Sequence, residues 1–357
     1  MKRREWIAGL VGLAVLTGLF LYEQHVHPFH WKVFLQEFRK ARWTNAGIGV
    51  ACIYLGYVLR AVRWAWLMRP TKRVPPLSLL GTQVMGFTAV ALIGRIADPV
   101  RPYLVARKTQ LPVGVQIAVY VVERLFDAGS MAILFFTAIL LSPPGTLPHQ
   151  EIFNKVAKGG LIATAAGGLF LVAVRISGRA VAAFCERGLA PFSRRLASAT
   201  GEKIRAFHAG LDTLRTPGDF AAVLAFSLTM WCLITAAYVE GVEAFLPAGQ
   251  AATNILGRCL ALMAGGGVAS SLQLPVIGWF TQIAALQVML GPLFGMTTET
   301  AMACAATLLA ITFLSIAPVG LVWAQFEHIS LRQVTRQSEH CDDKREAATS
   351  ADETAAL

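Results

Sequence analysis

Charged residues are scarce in this chain of 357 residues, since Asp, Glu, Lys and Arg together make up only 15% of it. Soluble domains carry about 25% charged residues, so this shortage argues against a soluble protein. Hydrophobic residues make up 55% of the sequence, and the mean hydropathy is +0.55. A bilayer core about 30 Å thick requires roughly 20 apolar residues per spanning helix. The composition therefore predicts an all-α polytopic membrane protein.

Motifs of soluble enzymes and of metal sites are also missing. None of the six cysteines forms a Cys-x-x-Cys pair, so we expect neither a zinc site nor a disulfide framework. The sequence contains no phosphate-binding glycine loop and no Ser/His/Asp set. Adjacent acidic residues occur only in the polar tail, as at Asp342 and Asp343, which argues against a metal-dependent enzyme acting on polyprenyl phosphate. We expect no covalent catalysis, no metal and no cofactor.

Basic residues are abundant, and the net charge is +11. This charge does not indicate nucleic-acid binding, because the basic residues lie between apolar runs, where they set topology and contact anionic lipid headgroups. They concentrate at the N-terminus, in residues 69–76 and 175–218, and in the tail. This distribution predicts that both termini lie in the cytoplasm. The basic, then apolar N-terminus lacks a cleavage site and is typical of an uncleaved signal anchor.

Apolar runs long enough to cross a bilayer divide the chain. The six predicted spans are residues 6–22, 44–68, 114–141, 159–174, 219–245 and 300–323. An amphipathic helix on the membrane surface is predicted over 30–42, where Trp31, Phe34, Leu35 and Phe38 share one helical face. Residues 1–336 then form the membrane domain, and the polar residues 337–357 form a disordered cytoplasmic tail.

Two further apolar stretches, 77–93 and 255–293, are interrupted by Gly, Pro and polar residues. Arg101, Arg107 and Lys108 stay on the cytoplasmic side only if residues 77–112 enter the membrane and return to the same face. We therefore predict a re-entrant helical hairpin there, and a second hairpin at 255–293 from the opposite face, with a possible inverted repeat. Eight plain spans are the alternative.

The turn of the first hairpin, GRIADPVRPYLVAR, is the first candidate site. Pro99 and Pro102 remove backbone donors, so this segment does not simply continue a lipid-facing helix. Arg95 and Arg101 suit phosphate, which a guanidinium grips with two parallel hydrogen bonds, and Asp98 lies between them. The alternative is an ordinary cytoplasmic loop with basic residues.

The span 114–141 carries Glu123, Arg124 and Asp127 inside an otherwise apolar run. On insertion scales each unpaired charge there costs about 2.5–3.5 kcal/mol, so these residues need partners. Glu123 and Asp127 are four residues apart and share a helical face. Arg60, Arg95 or Arg101 would supply the cation. A buried structural ion-pair network and a substrate pocket are both open, and they are not exclusive.

Two more groups of residues have a structural and a functional interpretation. Arg60 and Arg63 close the span 44–68 beside tryptophans, which is typical of interfacial anchors, and lipid-headgroup contact is the alternative. In the second hairpin, Gln273 and Gln282 accompany a Gly-rich, Pro-containing break. That break either serves helix packing alone or forms the second wall of a lipid cavity.

At these motifs the sequence resembles the membrane region of lysylphosphatidylglycerol synthases, also called flippase-like domain proteins, over roughly residues 6–330. The matching motifs are, in chain order, Arg60 with Arg63 and Trp64, the turn GRIADPVRPYLVAR, the set Glu123, Arg124 and Asp127, and the break QLPVIGWFTQ. Two departures stand out. The late motif of the family usually carries an acid, whereas this chain has Gln282. We also expect no aminoacyl-transferase domain, because the stretch after residue 330 is too short for one.

The resemblance implies a protein that handles lipids without transferring lysine to them. We expect a lipid flippase-like transporter of the bacterial inner membrane that binds an anionic phospholipid or isoprenoid-lipid headgroup. The expected binding residues are Arg60, Arg95, Asp98, Arg101, Glu123, Arg124, Asp127, Gln273 and Gln282. The alternative is a membrane scaffold that transports nothing and recruits an envelope-biosynthesis enzyme. In either case the expected partners are membrane lipids.

Overall fold

The computed structural model describes residues 29–94, 97–145, 150–189, 216–247, 254–271 and 277–326. Within these residues the chain is helical and contains no strand. The helices are α1 (Trp31–Lys40), α2 (Trp43–Met68), α3 (Leu80–Ile93, preceded by the 3-10 turn Pro76–Leu79), α4 (Val100–Thr109), α5 (Val113–Leu140), α6 (Gln150–Leu189), α7 (Pro217–Glu243), α8 (Ile255–Ser271), α9 (Ile277–Phe294), α10 (Thr298–Leu309) and α11 (Ile316–Phe326), with a π-helical segment at Ala310–Leu314.

Four helical segments of the described residues are long and apolar enough to cross a membrane: Trp43–Met68, Pro76–Ile93, Pro217–Glu243 and Thr298–Phe326. The all-α membrane class is therefore confirmed. Three of the four coincide with predicted spans, whereas Pro76–Ile93 was expected to be interrupted and is instead a continuous helical segment. The predicted span 159–174 lies inside the 40-residue α6, which is kinked at Ser177.

Several predictions fall outside the described residues or are not tested by them. The predicted span 6–22 and the tail 337–357 lie outside the described residues. Helix α5 matches the predicted run 114–141 in its bounds, although its three charged residues set it apart from the four apolar segments. The total of six spans stays a prediction.

One end of the helix bundle is defined by contacts around Lys72, and we call it the Lys72 end. The Nζ atom of Lys72 donates to the carbonyl oxygen of Thr109 at 2.8 Å, so the start of α3 and the end of α4 lie together. Arg69 forms an ion pair of 3.1 Å with Asp219, which brings the end of α2 to the start of α7. The segments around 69–76, 109–112 and 216–219 therefore share one end.

The opposite end is defined by contacts around His30, and we call it the His30 end. The backbone N–H of Arg42 donates to the carbonyl oxygen of Ala244 at 3.0 Å, which joins the start of α2 to the end of α7. His30 Nδ1 lies 3.1 Å from a carboxylate oxygen of Glu299 at the start of α10. Helices α2 and α7 thus run antiparallel between the two ends.

Helices α3 and α4 form one helical hairpin and helices α8 and α9 a second, and the two hairpins begin at opposite ends of the bundle. Helices α3 and α4 start and finish at the Lys72 end and are joined by a turn in which Gly94 has a φ of 91°, a conformation that favours glycine. Helix α8 starts at the His30 end, where Asn254 bonds Ser142 at 2.7 Å, and α9 returns there before α10. The re-entrant path of each hairpin in a bilayer stays a prediction, as does the inverted repeat.

The amphipathic segment near the N-terminal side forms α1, as predicted. Five aromatic residues follow one another at ring distances of 4.8–6.1 Å along this segment: Phe29, Trp31, Phe34, Phe38 and Trp43. Helix α1 contains no buried residue, and the apolar residues Trp31 and Leu35 are about half exposed. An exposed aromatic face beside basic residues is typical of a helix that lies in a membrane interface.

Candidate functional site

Helix α5 carries two buried carboxylates at the centre of the bundle. Glu123 is 1% exposed and Asp127 is 5% exposed, and their four-residue spacing directs both toward α2. Glu123 lies about 15 Å along α5 from its start at the Lys72 end, given a rise of about 1.5 Å per residue. Charges at such a position require close partners, and arginines supply them.

Arg63 of α2 binds both carboxylates at once. Its Nη2 donates to Glu123 at 2.6 Å, and its Nη1 donates to Asp127 and to Ser227 of α7, each at 2.6 Å. The Arg63 side chain is 1% exposed. The interpretation of Arg63 as an interfacial anchor is therefore wrong, because its guanidinium joins three helices inside the bundle instead of reaching the membrane surface.

Arg101 of α4 supplies the second fully buried guanidinium. Its Nη2 donates to both oxygens of Glu123, at 2.9 and 3.1 Å, and to Gln83 of α3 at 2.8 Å. Its guanidinium carbon lies 4.2 Å from the centre of the Phe87 ring. The aliphatic part of the Arg101 side chain lies so close to Gly86 that a Cβ atom on Gly86 would clash with it. The interpretation of this residue as part of an ordinary cytoplasmic loop is wrong, since Arg101 is 0% exposed.

Arg60 and Arg124 contact the same carboxylates more loosely. Arg60 Nη1 lies 3.7 Å from Glu123 and 3.7 Å from Asp127, and Arg124 Nη2 lies 3.6 and 3.4 Å from them. These ion-pair distances exceed those of ordinary N–H···O hydrogen bonds. Among the described residues, Arg60 Nη1 and the Nε and Nη2 atoms of Arg124 are buried without a hydrogen-bond partner. Both guanidiniums thus keep donors free for a ligand.

A partly open cavity of about 630 Å³ lies beside these two arginines. Its charged wall contains Arg60, Asp98, Arg124 and Asp127. Its apolar lining includes Ile53, Val90, Met131, Phe135, Ile234, Met263 and Phe313. Its uncharged polar lining includes Trp231, Tyr238, Gln282 and Thr312. A volume of this size is typical of small-molecule sites, which are mostly apolar and carry a few placed polar groups.

Among the described residues around this cavity, positive charge exceeds negative charge. Four arginines, Arg60, Arg63, Arg101 and Arg124, surround Glu123 and Asp127. Counting Asp98, which interacts electrostatically with Arg124, three carboxylates oppose the four guanidiniums. Interactions between charges are stronger in a low-dielectric interior than in water. The arrangement therefore suits a ligand with an anionic group.

The cavity collects most of the residues that the sequence indicated. Arg60, Asp98, Arg124, Asp127 and Gln282 line it, whereas Arg101 and Glu123 lie behind the charged wall and position its members. Arg95 and Gln273 lie outside the described residues.

Sequence reasoning did not include Arg63 among the site residues, nor the neutral groups Ser227 and Trp231. A signal for Arg63 was present. Arg60 and Arg63 are three residues apart on α2, and Glu123 and Asp127 are four apart on α5, so each pair shares one helical face and the two faces match in spacing. Ser227 and Trp231 carried no signal, because uncharged polar residues are common in membrane helices.

The fold and this site define a helical membrane protein with an internal cavity that is charged on one wall and apolar on others. Comparison with known families identifies it further. The family model described as the lysylphosphatidylglycerol synthase TM region matches residues 6–320, and the chain belongs to that family. No curated protein and no solved structure matches the chain.

Proposed function

We propose that this protein is a flippase-like lipid transporter of the bacterial inner membrane, with both termini in the cytoplasm. The cavity binds the anionic headgroup of a phospholipid or isoprenoid lipid, while the acyl or prenyl chains stay among apolar side chains and bilayer lipid. One observation carries this proposal: a cavity of about 630 Å³ is lined by two arginines whose buried donors make no hydrogen bond among the described residues, and most of its remaining lining is apolar.

Arg60 and Arg124 are the residues proposed to contact the headgroup. A guanidinium matches the geometry of phosphate oxygens and binds them with charge-assisted hydrogen bonds. Because these two arginines lie 3.4–3.7 Å from Glu123 and Asp127, they can turn toward a ligand without breaking short hydrogen bonds. A bound phosphate would give hydrogen bonds to buried donors that form only the longer ion-pair contacts.

Arg63, Arg101 and Glu123 are proposed to position the binding residues without contacting the ligand. Their mutual distances of 2.6–3.1 Å connect α2, α4 and α5 into one unit. This network neutralises Glu123, and it keeps α5 oriented so that Asp127 and Arg124 border the cavity. A rigid supporting layer of this kind holds functional groups in a productive geometry.

The two hairpins are proposed to open and close the cavity. The α3–α4 hairpin supplies Phe87, Val90 and the adjoining Asp98, and the α8–α9 hairpin supplies Met263 and Gln282. Since the hairpins begin at opposite ends of the bundle, movement of each one would expose the cavity to a different side. Transporters commonly bind substrate between broken helices and alternate access around that site.

Lipid translocation in proteoliposomes tests this function. We expect R60Q and R124Q each to reduce the initial rate of headgroup movement between leaflets at least tenfold, with normal folding and insertion. R107Q is the matched control, because it removes one exposed arginine of α4 that does not line the cavity and should leave the rate within twofold of the wild type.

The proposed transport function is wrong if the wild-type protein translocates none of the tested phospholipids and prenyl-phosphate lipids. The alternative function, a scaffold for an envelope-biosynthesis enzyme, predicts that outcome together with a partner that co-purifies equally well with wild type and with R60Q. Equal rates of lipid translocation by R60Q, R124Q and the wild type would show that the cavity takes no part in transport.

A further inference from the structure

We infer that Trp279 is a positioning residue that holds the two hairpins together and so limits the opening of the cavity between them. This inference rests on the proposed function, because it names the contact that must break when the hairpins move. The observation behind it is a hydrogen bond that joins the hairpins directly. The indole Nε1 of Trp279 in α9 donates to the carbonyl oxygen of Ala91 in α3 at 2.6 Å.

This hydrogen bond lies at the tips of the two hairpins, which we define as residues 91–94 and 277–280. The first hairpin is attached at the Lys72 end and the second at the His30 end. With a rise of about 1.5 Å per residue, Ala91 lies about 17 Å along α3 from the start of that helix. By the same rise, Trp279 lies about 22 Å from the end of α9. The bond therefore joins the two hairpins far from the ends where each is attached.

The acceptor of this bond needs a partner from outside its own helix. Ala91 belongs to the last turn of α3, where the regular pattern of helical hydrogen bonds leaves carbonyl groups unsatisfied. Ala91 is also only 1% exposed, so its carbonyl group has little access to water while the tips are in contact. The indole N–H can only donate, and a buried carbonyl that loses its donor is unfavourable. The bond therefore favours the arrangement in which the tips touch.

Apolar packing does not tie the hairpins to each other in the same way. Buried residues of the second hairpin, such as Leu262 and Leu286, pack in a cluster with α5, α7 and α10. Those at the tip side of the first hairpin, such as Val90, pack with α4 and α11. Within the described part of the chain, no apolar cluster of buried residues combines the two hairpins. The bond from Trp279 can therefore break without disrupting a shared apolar core.

Separation of the tips would change the cavity, because residues beside the bond line it. Val90 directly precedes Ala91, and Gln282 follows Trp279 by about one helical turn. Val90 and Gln282 both line the cavity, one from each hairpin. When the bond breaks and the tips move apart, these two lining residues move apart with them. Trp279 thus acts on the cavity through the residues that it positions.

The distance between the tips can be measured with spin labels. Pro99 and Thr281 lie near the two tips, and both are exposed. Nitroxide labels on P99C and T281C, in the full-length protein in nanodiscs and in a cysteine-free background, report this distance by double electron–electron resonance. W279F removes the N–H donor and keeps an aromatic ring. We expect it to raise the ratio of separated to joined tips at least fivefold. A fivefold change corresponds to about 1 kcal/mol, the usual net contribution of one hydrogen bond.

W323F is the matched control for this measurement. It makes the same chemical change at a tryptophan whose indole packs against Gly81, at the other end of α3. The ratio of separated to joined tips should stay within twofold of the wild type. The inference is overturned if W279F leaves the ratio unchanged, or if W323F raises it as much as W279F does.

Crosslinking of the tips tests the role of their separation in transport, and it decides the question if W279F fails to fold. A bifunctional maleimide with a reducible spacer, attached to P99C and T281C, should slow lipid translocation in proteoliposomes at least tenfold, and a reductant should restore the rate. The two single-cysteine variants, treated alike, should keep their rates. Unchanged translocation by the crosslinked protein would overturn the inference.

Failure of the inference and failure of the proposed function give different results. If the wild-type protein translocates no lipid, the proposed function fails, and the spin-label distances still decide whether Trp279 holds the hairpins together. If the wild type translocates lipid and W279F leaves the tips joined, transport stands and the role of Trp279 is wrong.

Discussion

At the scale of single residues, Arg63 explains how an apolar bundle tolerates two buried acids. Its guanidinium reaches Glu123 and Asp127 together, with two of the shortest side-chain contacts in the described structure, and it also bonds Ser227. A lysine in the same place would be a single point charge and could not present the planar pair of N–H groups. The planar geometry of the Arg63 guanidinium, together with its positive charge, therefore stabilises the two buried carboxylates.

Removing Arg63 should therefore destabilise the protein strongly. We expect R63A to lower the free energy of unfolding by about 3–5 kcal/mol, because it leaves two carboxylates buried with weaker partners. R63K should recover only part of the loss. Thermal unfolding in detergent, followed by tryptophan fluorescence or circular dichroism, measures the effect.

Arg69 provides the comparison for that measurement. It forms an ion pair with Asp219 in which the Arg69 side chain is 47% exposed, and exposed pairs contribute about 0–1 kcal/mol. R69A should therefore shift the unfolding temperature much less than R63A. Equal shifts for the two variants would contradict the view that Arg63 is the centre of the buried network.

Residue patterns predicted most of this network and missed its centre. The charges of Glu123, Arg124 and Asp127 inside an apolar run demanded partners on energetic grounds alone, and Arg60 and Arg101 were among the expected cations. Arg63 was interpreted as an anchor because its position near the end of an apolar run is the usual place for one. Which face of α2 meets α5 is a tertiary property, and it decided the role of Arg63.

At the scale of helices, α3 and α11 cross closely because small residues lie at their contact. A Cβ at Gly320 would lie 2.7 Å from Cβ of Thr88, and a Cβ at Gly81 would overlap the indole ring of Trp323. Membrane helices lack a hydrophobic driving force for association, so they depend on such close packing. This crossing secures the first hairpin to the last helix.

Substitution of Gly320 tests the importance of this crossing. We expect G320A to destabilise the protein by about 1–3 kcal/mol through overpacking against Thr88. G47A is the control, because nothing lies within 4 Å of a Cβ there and alanine is the better helix former. Thermal unfolding of both variants should show a clear decrease for G320A and no decrease for G47A. The reverse order would show that this crossing is not tightly packed.

The helical segment that follows the second hairpin, Thr298–Phe326, matches the span predicted at 300–323 and contains a π-helical turn. Its middle is π-helical over Ala310–Leu314, and the N–H of Ser315 donates to the carbonyl oxygen of Ala310 at 2.8 Å. Pro318 has no N–H for the carbonyl of Leu314, which weakens the regular pattern at this point. The wider turn brings Thr312 and Phe313 to the cavity, a frequent association of π-helical turns with functional sites.

At the scale of the whole molecule, the bundle has two ends and each interrupted stretch returns to the end where it began. This arrangement lets the two hairpins meet the cavity from opposite sides, as the lining residues from α3 and α9 indicate. The basic loop at 69–76 belongs to the Lys72 end, which the distribution of basic residues predicts to be cytoplasmic.

Labelling of single cysteines in a cysteine-free background tests this topology. We expect cysteines introduced by T71C and Q110C to react with a membrane-impermeant maleimide from the same side of the membrane, and T298C from the other side. All three residues are exposed, so reactivity reports the side and not burial. Labelling of T71C and Q110C from opposite sides would favour the alternative of eight plain spans.

The sequence by itself determined the membrane class, the long apolar helices and the need of Glu123 and Asp127 for cationic partners. These properties follow from the free energy of placing apolar and charged groups in hydrocarbon, which depends on composition and local order along the chain. Only the tertiary structure decided that Arg63 binds both acids, that Arg60 and Arg124 keep donors without a hydrogen bond, and that Gln282 and Trp231 line the same cavity as these two arginines. Such choices depend on which helix faces meet, and contacts between residues far apart in sequence are set by packing of the whole bundle.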